Sequence, residues 1–232
     1  IAYFKLKYPF WSKQPVFHFH NLYYWMFPPG IIQHNKPEKN KYYDETVFFF
    51  DFFKVPTQKK ALSEFFIRNN YMPHKQENYK PPKNGVVDYF KNHNDKSYFS
   101  FIEKNNKIIA TMTTRPLHCK LDNSIFHLYY VDFLCVHQKH RKKGIAPKII
   151  YTHYVKHREK HKNCIFLFKR EGVKNAIVPL TNYYNYYFDI EKWPTKIKFD
   201  QSEINTVLIG SENFDLFHDV FKRLDKSNFK CV

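Results

Sequence analysis

The sequence predicts a mixed α and β fold, and three observations predict it. Residues 97–103 and 107–117 alternate apolar and polar side chains on either side of Asn105-Asn106, as two strands joined by a tight turn do. Residues 124–136 form a longer strand-like run, almost wholly apolar from Leu128 to Val136. Helix-like segments flank this β region, one over 58–69 and one from the turn at 141–146 to about Lys160, with Pro147 in its first turn.

The remaining elements follow in order. Residues 1–30 are aromatic and irregular and end in Pro28-Pro29-Gly30; they read as an extended arm that needs another surface to lie on. Residues 33–46 are polar and lysine-rich, a loop, and 46–55 is an apolar strand. Pro56-Thr57 opens the helix over 58–69, with Ala61, Leu62, Phe65 and Phe66 assigned to its inner face. The three prolines of 71–84 make a loop, and 86–92 a short helix. After the second long helix come a strand over 164–169, an aromatic segment over 172–195 and a strand over 196–199. A last amphipathic helix spans 213–224, with Phe214, Phe217, Val220, Phe221 and Leu224 inward.

Composition bounds the partners. The 232 residues suffice for one sizeable core. Net charge is +17, which nucleic acid, an anionic membrane surface or an anionic cofactor would each answer. Lysines and arginines are scattered along the chain rather than gathered in a tail, so a specific nucleic-acid function is not expected. The excess of Phe (25) and Tyr (18) over Gly (5) reflects an AT-rich coding bias more than base stacking. Cys119, Cys135, Cys164 and Cys231 show neither a metal-binding spacing nor a disulfide framework; a reducing, cytoplasmic setting fits them. No H-E-x-x-H occurs, and His157 with His161 reads as part of a solvated basic face rather than a metal grip. No metal is expected. No apolar run reaches membrane-spanning length and no signal peptide is visible.

The chemistry concentrates in DFLCVHQKHRKKGIAPKII, residues 132–150. A strand meets the basic turn Arg141-Lys142-Lys143-Gly144-Ile145-Ala146, and a helix begins there. Such a turn aims backbone N–H groups at one point, at the positive end of the helix dipole, where a pyrophosphate would sit. Gly144 allows close backbone approach, and Lys139, Arg141, Lys142 and Lys143 attract anions from a distance.

Phe133-Leu134-Cys135-Val136-His137 before the turn and Ala146-Pro147 after it resemble the N-myristoyltransferase family. R-x-x-G-x-A over 141–146 is also similar to the acyl-CoA signature of the wider GNAT superfamily. Phe10-Trp11-Ser12-Lys13-Gln14-Pro15-Val16 resembles the family's opening F-W-x-T-Q-P-V, and Asn70-Tyr71 resembles the end of its N-x-N-Y. Lys196–Phe199 falls where the family has its V-K-F, so the resemblance runs over roughly 8–199. It implies an α+β, GNAT-like, mostly antiparallel sheet flanked by helices in a single domain, divided here as an arm (1–45), an acyl-CoA-binding domain (46–199) and a C-terminal helical extension (200–232). It also implies that myristoyl-CoA, or another acyl-CoA, is held by Arg141, Lys142, Lys143, Gly144, Ile145, Ala146 and Pro147. Phe10, Trp11 and Gln14 of the arm and Cys135 and Val136 of the strand would join them. The backbone amides of Phe133 and Leu134 would polarise the thioester carbonyl. The acceptor would be a protein or peptide with an N-terminal glycine, and the carboxylate at Val232 would take the amine's proton, as the family's C-terminus does.

Departures from the family pattern are as informative. Its acidic cluster after N-x-N-Y is here Met72-Pro73-His74-Lys75-Gln76-Glu77, and its R-Y-W-H reads Tyr183-Tyr184-Asn185-Tyr186. The donor side is kept and the acceptor side rewritten. Most of the family's second half is missing: Asn213–Phe217 resembles its start, and Val232 follows soon after. A halved architecture and an AT-rich bias suggest a viral or parasite source. Asp132 replaces the family's asparagine; capping a strand bulge is the favoured role, a base the alternative. Cys135 reads as a buried structural thiol, not a nucleophile. Two other functions compete with N-myristoyl transfer. A GNAT acetyltransferase using acetyl-CoA needs only the basic turn, and a non-catalytic acyl-CoA-binding or basic nucleic-acid-binding protein needs no acceptor site.

Overall fold

The computed structural model describes residues 1–27, 32–71, 81, 85–91, 96–121, 124–162, 164–169, 177–180, 207, 209–218, 222 and 229–231. Five strands lie in the order β1 (Val47–Asp51), β2 (Tyr98–Lys104), β3 (Lys107–Leu121), β4 (Ser124–Val136), β5 (Ile165–Phe168). All neighbours are antiparallel except β4 and β5, which run parallel. A sixth strand, β6 (Phe229–Cys231), pairs with β3 at Cys119–Leu121, beyond the reach of β2. The expected α+β class and mostly antiparallel sheet are what the chain adopts.

Local chemistry accounts for the strands. Lys104 faces Lys107 across the two-residue loop Asn105-Asn106, and both asparagines have positive φ (50° and 60°). A two-residue turn of this hand needs left-handed backbone twice, and asparagine tolerates it better than any residue but glycine. The β2–β3 hairpin thereby sets the sheet register, and β4 returns along β3 for almost its whole length.

Helix α3 (Thr57–Asn70) covers one face of the sheet and α5 (Ile145–Lys160) the other. The shorter helices are α1 (Ala2–Lys7) and α2 (Leu22–Met26) in the arm and α4 (Val87–Lys91). Under α3 the core joins Phe52, Phe66, Ile67, Phe90, Phe99, Phe101 and Cys135; under α5 it joins Val47, Ile109, Ala110, Met112 and Ile149. The face assigned to α3 needs correction. Phe66 is buried, but Phe65 is 70% exposed and Leu62 43%, while Ser63 and Ile67 turn inward. Ser63 is satisfied by donating its hydroxyl to the Lys59 carbonyl, and Lys59 pairs with Glu103 of β2. Ile67 and Ile149 are fully buried on opposite sides. Either one changed to alanine is expected to cost about 2–5 kcal/mol, read from denaturant midpoints.

The basic face expected to be solvated near the end of α5 is corrected in part: Lys160 and Lys162 are exposed, but His157 and Arg158 are not. His153 and His157 are fully buried and Arg158 is 5% exposed. Arg158 reaches the carbonyls of Gln33, His34 and Asn35, Tyr151 donates to the Glu38 carbonyl, and Lys156 to that of Val47. The polar loop before β1 is therefore strapped along α5 by donors from that helix.

At the C-terminal end, a 3-10 segment (Ser211–Phe217) takes the place of the start of the expected helix, and Phe214 is 56% exposed rather than inward. Residues 229–231 add a strand where a helical extension was expected. The expected strand over 196–199 lies outside the described residues, as does almost all of the aromatic segment over 172–195.

Candidate acyl-CoA site

Strand β4 carries the first feature of the site. Thr111 pairs with Cys135 and Thr113 with Asp132, so Phe133 and Leu134 together stand opposite the single residue Met112. This is a bulge, and Phe133 sits in it with φ of 46°, a conformation a bulky residue adopts only under constraint. Two hydroxyls supply that constraint. Thr111 Oγ1 donates to the Phe133 carbonyl at 3.1 Å and Thr113 Oγ1 to the Asp132 carbonyl at 3.0 Å. Carbonyls are thus held toward β3, and a bulge leaves an amide of the Phe133-Leu134 pair without a ladder partner.

On its other side, the β4 ladder ends just before the bulge. β5 pairs with β4 only from Leu128 to Val131, the last pair being Val131 with Phe168. Beyond it no β4–β5 pairing occurs among the described residues; this end of the ladder is the fork, and the bulge lies just past it. An amide at the fork of two strands, beside a low-dielectric core, is placed to donate to an oxygen that gains charge.

The basic turn carries the second feature. Gly144 is the N-cap of α5 with φ of 75°, Lys142 is left-handed as well (φ 60°), and no side chain caps the helix. The N–H groups of Ile145 and Ala146 have no acceptor within the helix, and Pro147 has no N–H to satisfy. No acidic residue lies in the first turn of α5. Positive dipole end, open amides and Lys142 and Lys143 exposed beside them leave an environment that an anion would stabilise. A Cβ built on Gly144 meets nothing within 4 Å, so the space above the cap is open. Arg141 is committed differently. Its Nε donates to the Val136 carbonyl (3.0 Å) and an Nη to the Asn70 carbonyl (3.1 Å), tying the turn to β4 and to the end of α3.

The arm supplies the third feature. Phe10 is buried against Tyr151 and Val155 of α5. Trp11 stacks on Phe168, centroids 5.2 Å apart, at the last residue that still pairs with β4. Gln14 donates its side-chain amide to the Phe10 carbonyl at 3.1 Å and so closes the arm's own turn. The arm is not simply extended, because α1, a 3-10 turn (Trp11–Lys13) and α2 punctuate it, but it does lie on another surface, made by α5 and β5. Cys135 is buried in the core under α3, its Sγ 3.1 Å from Thr111 Oγ1, and burial pushes its thiol up to about 12. A thiol so protonated is structural.

A family comparison bears on these residues. The N-terminal domain of myristoyl-CoA:protein N-myristoyltransferase matches residues 50–167. The chain belongs to this family. Among the N-myristoyltransferases of known structure, that of Saccharomyces cerevisiae with bound myristoyl-CoA and inhibitors shares 16% identity, over 100% of this chain and 60% of its own length, with a TM-score of 0.61. A second structure of the yeast enzyme, with bound myristoyl-CoA, gives 16% identity over 69% of this chain and 40% of its own, at a TM-score of 0.48. At such an identity the likeness to the first of these shows the fold. The chain spans about 40–60% of the length of these N-myristoyltransferases. No curated protein matches it by sequence.

The N-myristoyltransferase match runs from the end of β1 into β5 and so contains the bulge, the turn and α5, while the arm precedes it. The structure brings Phe133 and Leu134 to the fork, Lys142–Pro147 to the head of α5, and Trp11 to the fork's edge. Arg141, Gln14 and Cys135 are occupied by structural contacts, and Val136 contributes its carbonyl to Arg141. Val232, Met72–Glu77 and Tyr183–Tyr186 lie outside the described residues.

Sequence reasoning missed one cluster. Arg115 of β3 donates to Asp132 at 3.0 Å and lies over the rings of Tyr89 (5.2 Å) and Tyr130 (4.9 Å). Thr111, Thr113 and Arg115 alternate along one face of β3, and that period-two spacing was the available signal.

Proposed function

We propose that this chain binds a long-chain acyl-CoA, myristoyl-CoA above all, and transfers its acyl group to the N-terminal glycine amine of a protein or peptide. The observation that carries the reading is the bulge at Phe133, just past the last β4–β5 pair, on the strand that feeds the anion-seeking turn. In this reading Lys142, Lys143 and the amides of Ile145 and Ala146 hold the pyrophosphate. Arg141 holds the turn, and Trp11 closes the fork. The Phe133-Leu134 amides receive the thioester oxygen as it becomes an oxyanion; one such donor is worth about a hundredfold or more in rate. The kept F-W-x-x-Q-P arm favours the long-chain donor over acetyl-CoA. An anionic membrane surface is a secondary partner: residues 1–37 contain no acidic residue, and Leu22, Trp25 and Met26 of α2 stand exposed.

Incubating the protein with myristoyl-CoA and a glycine-leading peptide, with mass detection, tests this. A myristoylated peptide, and none when the glycine is blocked by acetylation, is the expected result. Acetyl transfer from acetyl-CoA in a parallel incubation, with none from myristoyl-CoA, would make the chain an ordinary acetyltransferase, and bound donor without transfer would make it a binding protein.

A further inference from the structure

We propose that Thr111 and Thr113 are positioning residues that aim the two oxyanion amides, an inference that rests on the acyl-transfer reading above. Both side chains are fully buried on β3, across from the bulge. Thr113 Oγ1 donates to the Asp132 carbonyl at 3.0 Å, and Thr111 Oγ1 to the Phe133 carbonyl at 3.1 Å. A trans peptide unit is planar, so its C=O and its N–H point in opposite directions. The unit that begins at the Asp132 carbonyl ends at the Phe133 N–H. The unit that begins at the Phe133 carbonyl ends at the Leu134 N–H. Thr113 therefore aims the Phe133 amide and Thr111 the Leu134 amide, each away from the hydroxyl that holds its carbonyl.

These two planes have little else to fix them. In a regular strand the ladder does so, but Phe133 and Leu134 share Met112 as their one partner, and the ladder is interrupted there. Pairing with β5 ends at Val131, before it reaches them. Phe133 also holds φ of 46°, a conformation a phenylalanine leaves unless its surroundings prevent it. One buried hydroxyl on a strand is commonly just a satisfied polar group. Here two hydroxyls from one face of β3 take two successive carbonyls, and their peptide planes are the two that flank the strained residue. Bonding a carbonyl also polarises the amide in the same plane and makes it a stronger donor. At Thr111 the chain is one link longer. The hydroxyl's only proton goes to Phe133, so the Cys135 thiol, kept protonated by burial and 3.1 Å away, donates to the hydroxyl oxygen.

Removing one hydroxyl at a time tests this. Infrared spectra of bound myristoyl-CoA, isotope-labelled at the thioester carbonyl, read its polarisation directly. Single-turnover rates with a glycine peptide, donor affinity and melting midpoint are measured alongside. In the parent the carbonyl band is expected at lower frequency than in water. Thr111→Val and Thr113→Val should each return the band toward its position in water and slow transfer by about tenfold or more, with donor affinity within about twofold of the parent. Thr111→Ser and Thr113→Ser keep the hydroxyl and should restore both band and rate. A role confined to packing would lower the melting midpoint without moving the band. If a valine variant fails to fold, the alanine variant at that position carries the same prediction.

Folded variants that bind the donor and keep the parental band and rate overturn the proposal, as does a parent whose bound carbonyl is unshifted. A parental shift that the valine variants lose, with no transfer by any of them, would sink the transfer reading and leave the positioning role. A parent that binds no myristoyl-CoA sinks both.

Discussion

Moving the protein from about pH 7.5 to about pH 4.5 is expected to remove about 5 kcal/mol of folding stability through His153 and His157 alone. Both are fully buried on α5, and burial depresses them to about 3 and about 2 from an ordinary 6.5. The folded state therefore keeps both rings neutral where the unfolded chain protonates them. Their stabilisation is complete above pH 6.5 and is lost as pH falls from there toward the folded values, each ring contributing about 1.4 kcal/mol per pH unit. Asp132, with its raised value, works in the opposite sense and offsets a small part. A total near 5 kcal/mol rivals the whole stability of many domains, so acid unfolding should be steep.

The two rings are not equivalent. His153 is held at both nitrogens, by Ser100 Oγ at 2.8 Å and Thr114 Oγ1 at 2.9 Å. His157 has no hydrogen-bond partner among the described residues and packs among Tyr129, Tyr98 and Phe166, with ring centroids 4.1, 4.7 and 5.1 Å away. His157→Phe keeps the aromatic packing and discards a buried polar group. It should raise stability at neutral pH and roughly halve the loss on acidification, as denaturant midpoints at the two pH values would show. An unchanged acid loss in this variant would contradict the assignment.

Gly144→Glu is expected to weaken acyl-CoA binding by about a hundredfold or more while leaving a folded protein. Its backbone is left-handed (φ 75°), so any side chain costs about 1–2 kcal/mol there, yet a Cβ meets no neighbour. The strain is therefore modest and the fold survives. The glutamate would satisfy the helix dipole and the nearby lysines from within, and its charge would repel the pyrophosphate. Gly144→Ala bears the same strain without the charge and so measures how much of the loss is steric. Comparable binding by the parent and Gly144→Glu would move the pyrophosphate site away from this turn.

These features were unequally legible in the sequence. Asn105-Asn106 announced its hairpin because few residues accept two consecutive left-handed conformations. β4 was legible at its full length, Ser124–Val136, from its apolar run. The inner face of α3 was misread because the buried row Ser63, Phe66, Ile67 includes a polar residue, while the apolar Leu62 and Phe65 lie on the solvent side. Composition misled at α5, where residues 156–162 look solvated. The spacing Ile149, His153, His157, His161 is a continuous i, i+4 row, and that periodicity marked the buried face. Phe133 lay beyond local propensity altogether. Nothing in a phenylalanine favours positive φ, and the conformation is imposed by Thr111 and Thr113 across the sheet. The Arg115–Asp132 pair likewise needed the β3–β4 register before it could be seen.

The central claim is that one fork, between bulge and basic turn, holds a long-chain acyl-CoA. Calorimetric titration with myristoyl-CoA and with acetyl-CoA, on the parent protein and on Gly144→Glu, tests it most directly. Myristoyl-CoA binding more tightly than acetyl-CoA, and lost in Gly144→Glu, is the expected result. Equal or preferred binding of acetyl-CoA would contradict the long-chain assignment, and no binding of either would contradict the site itself.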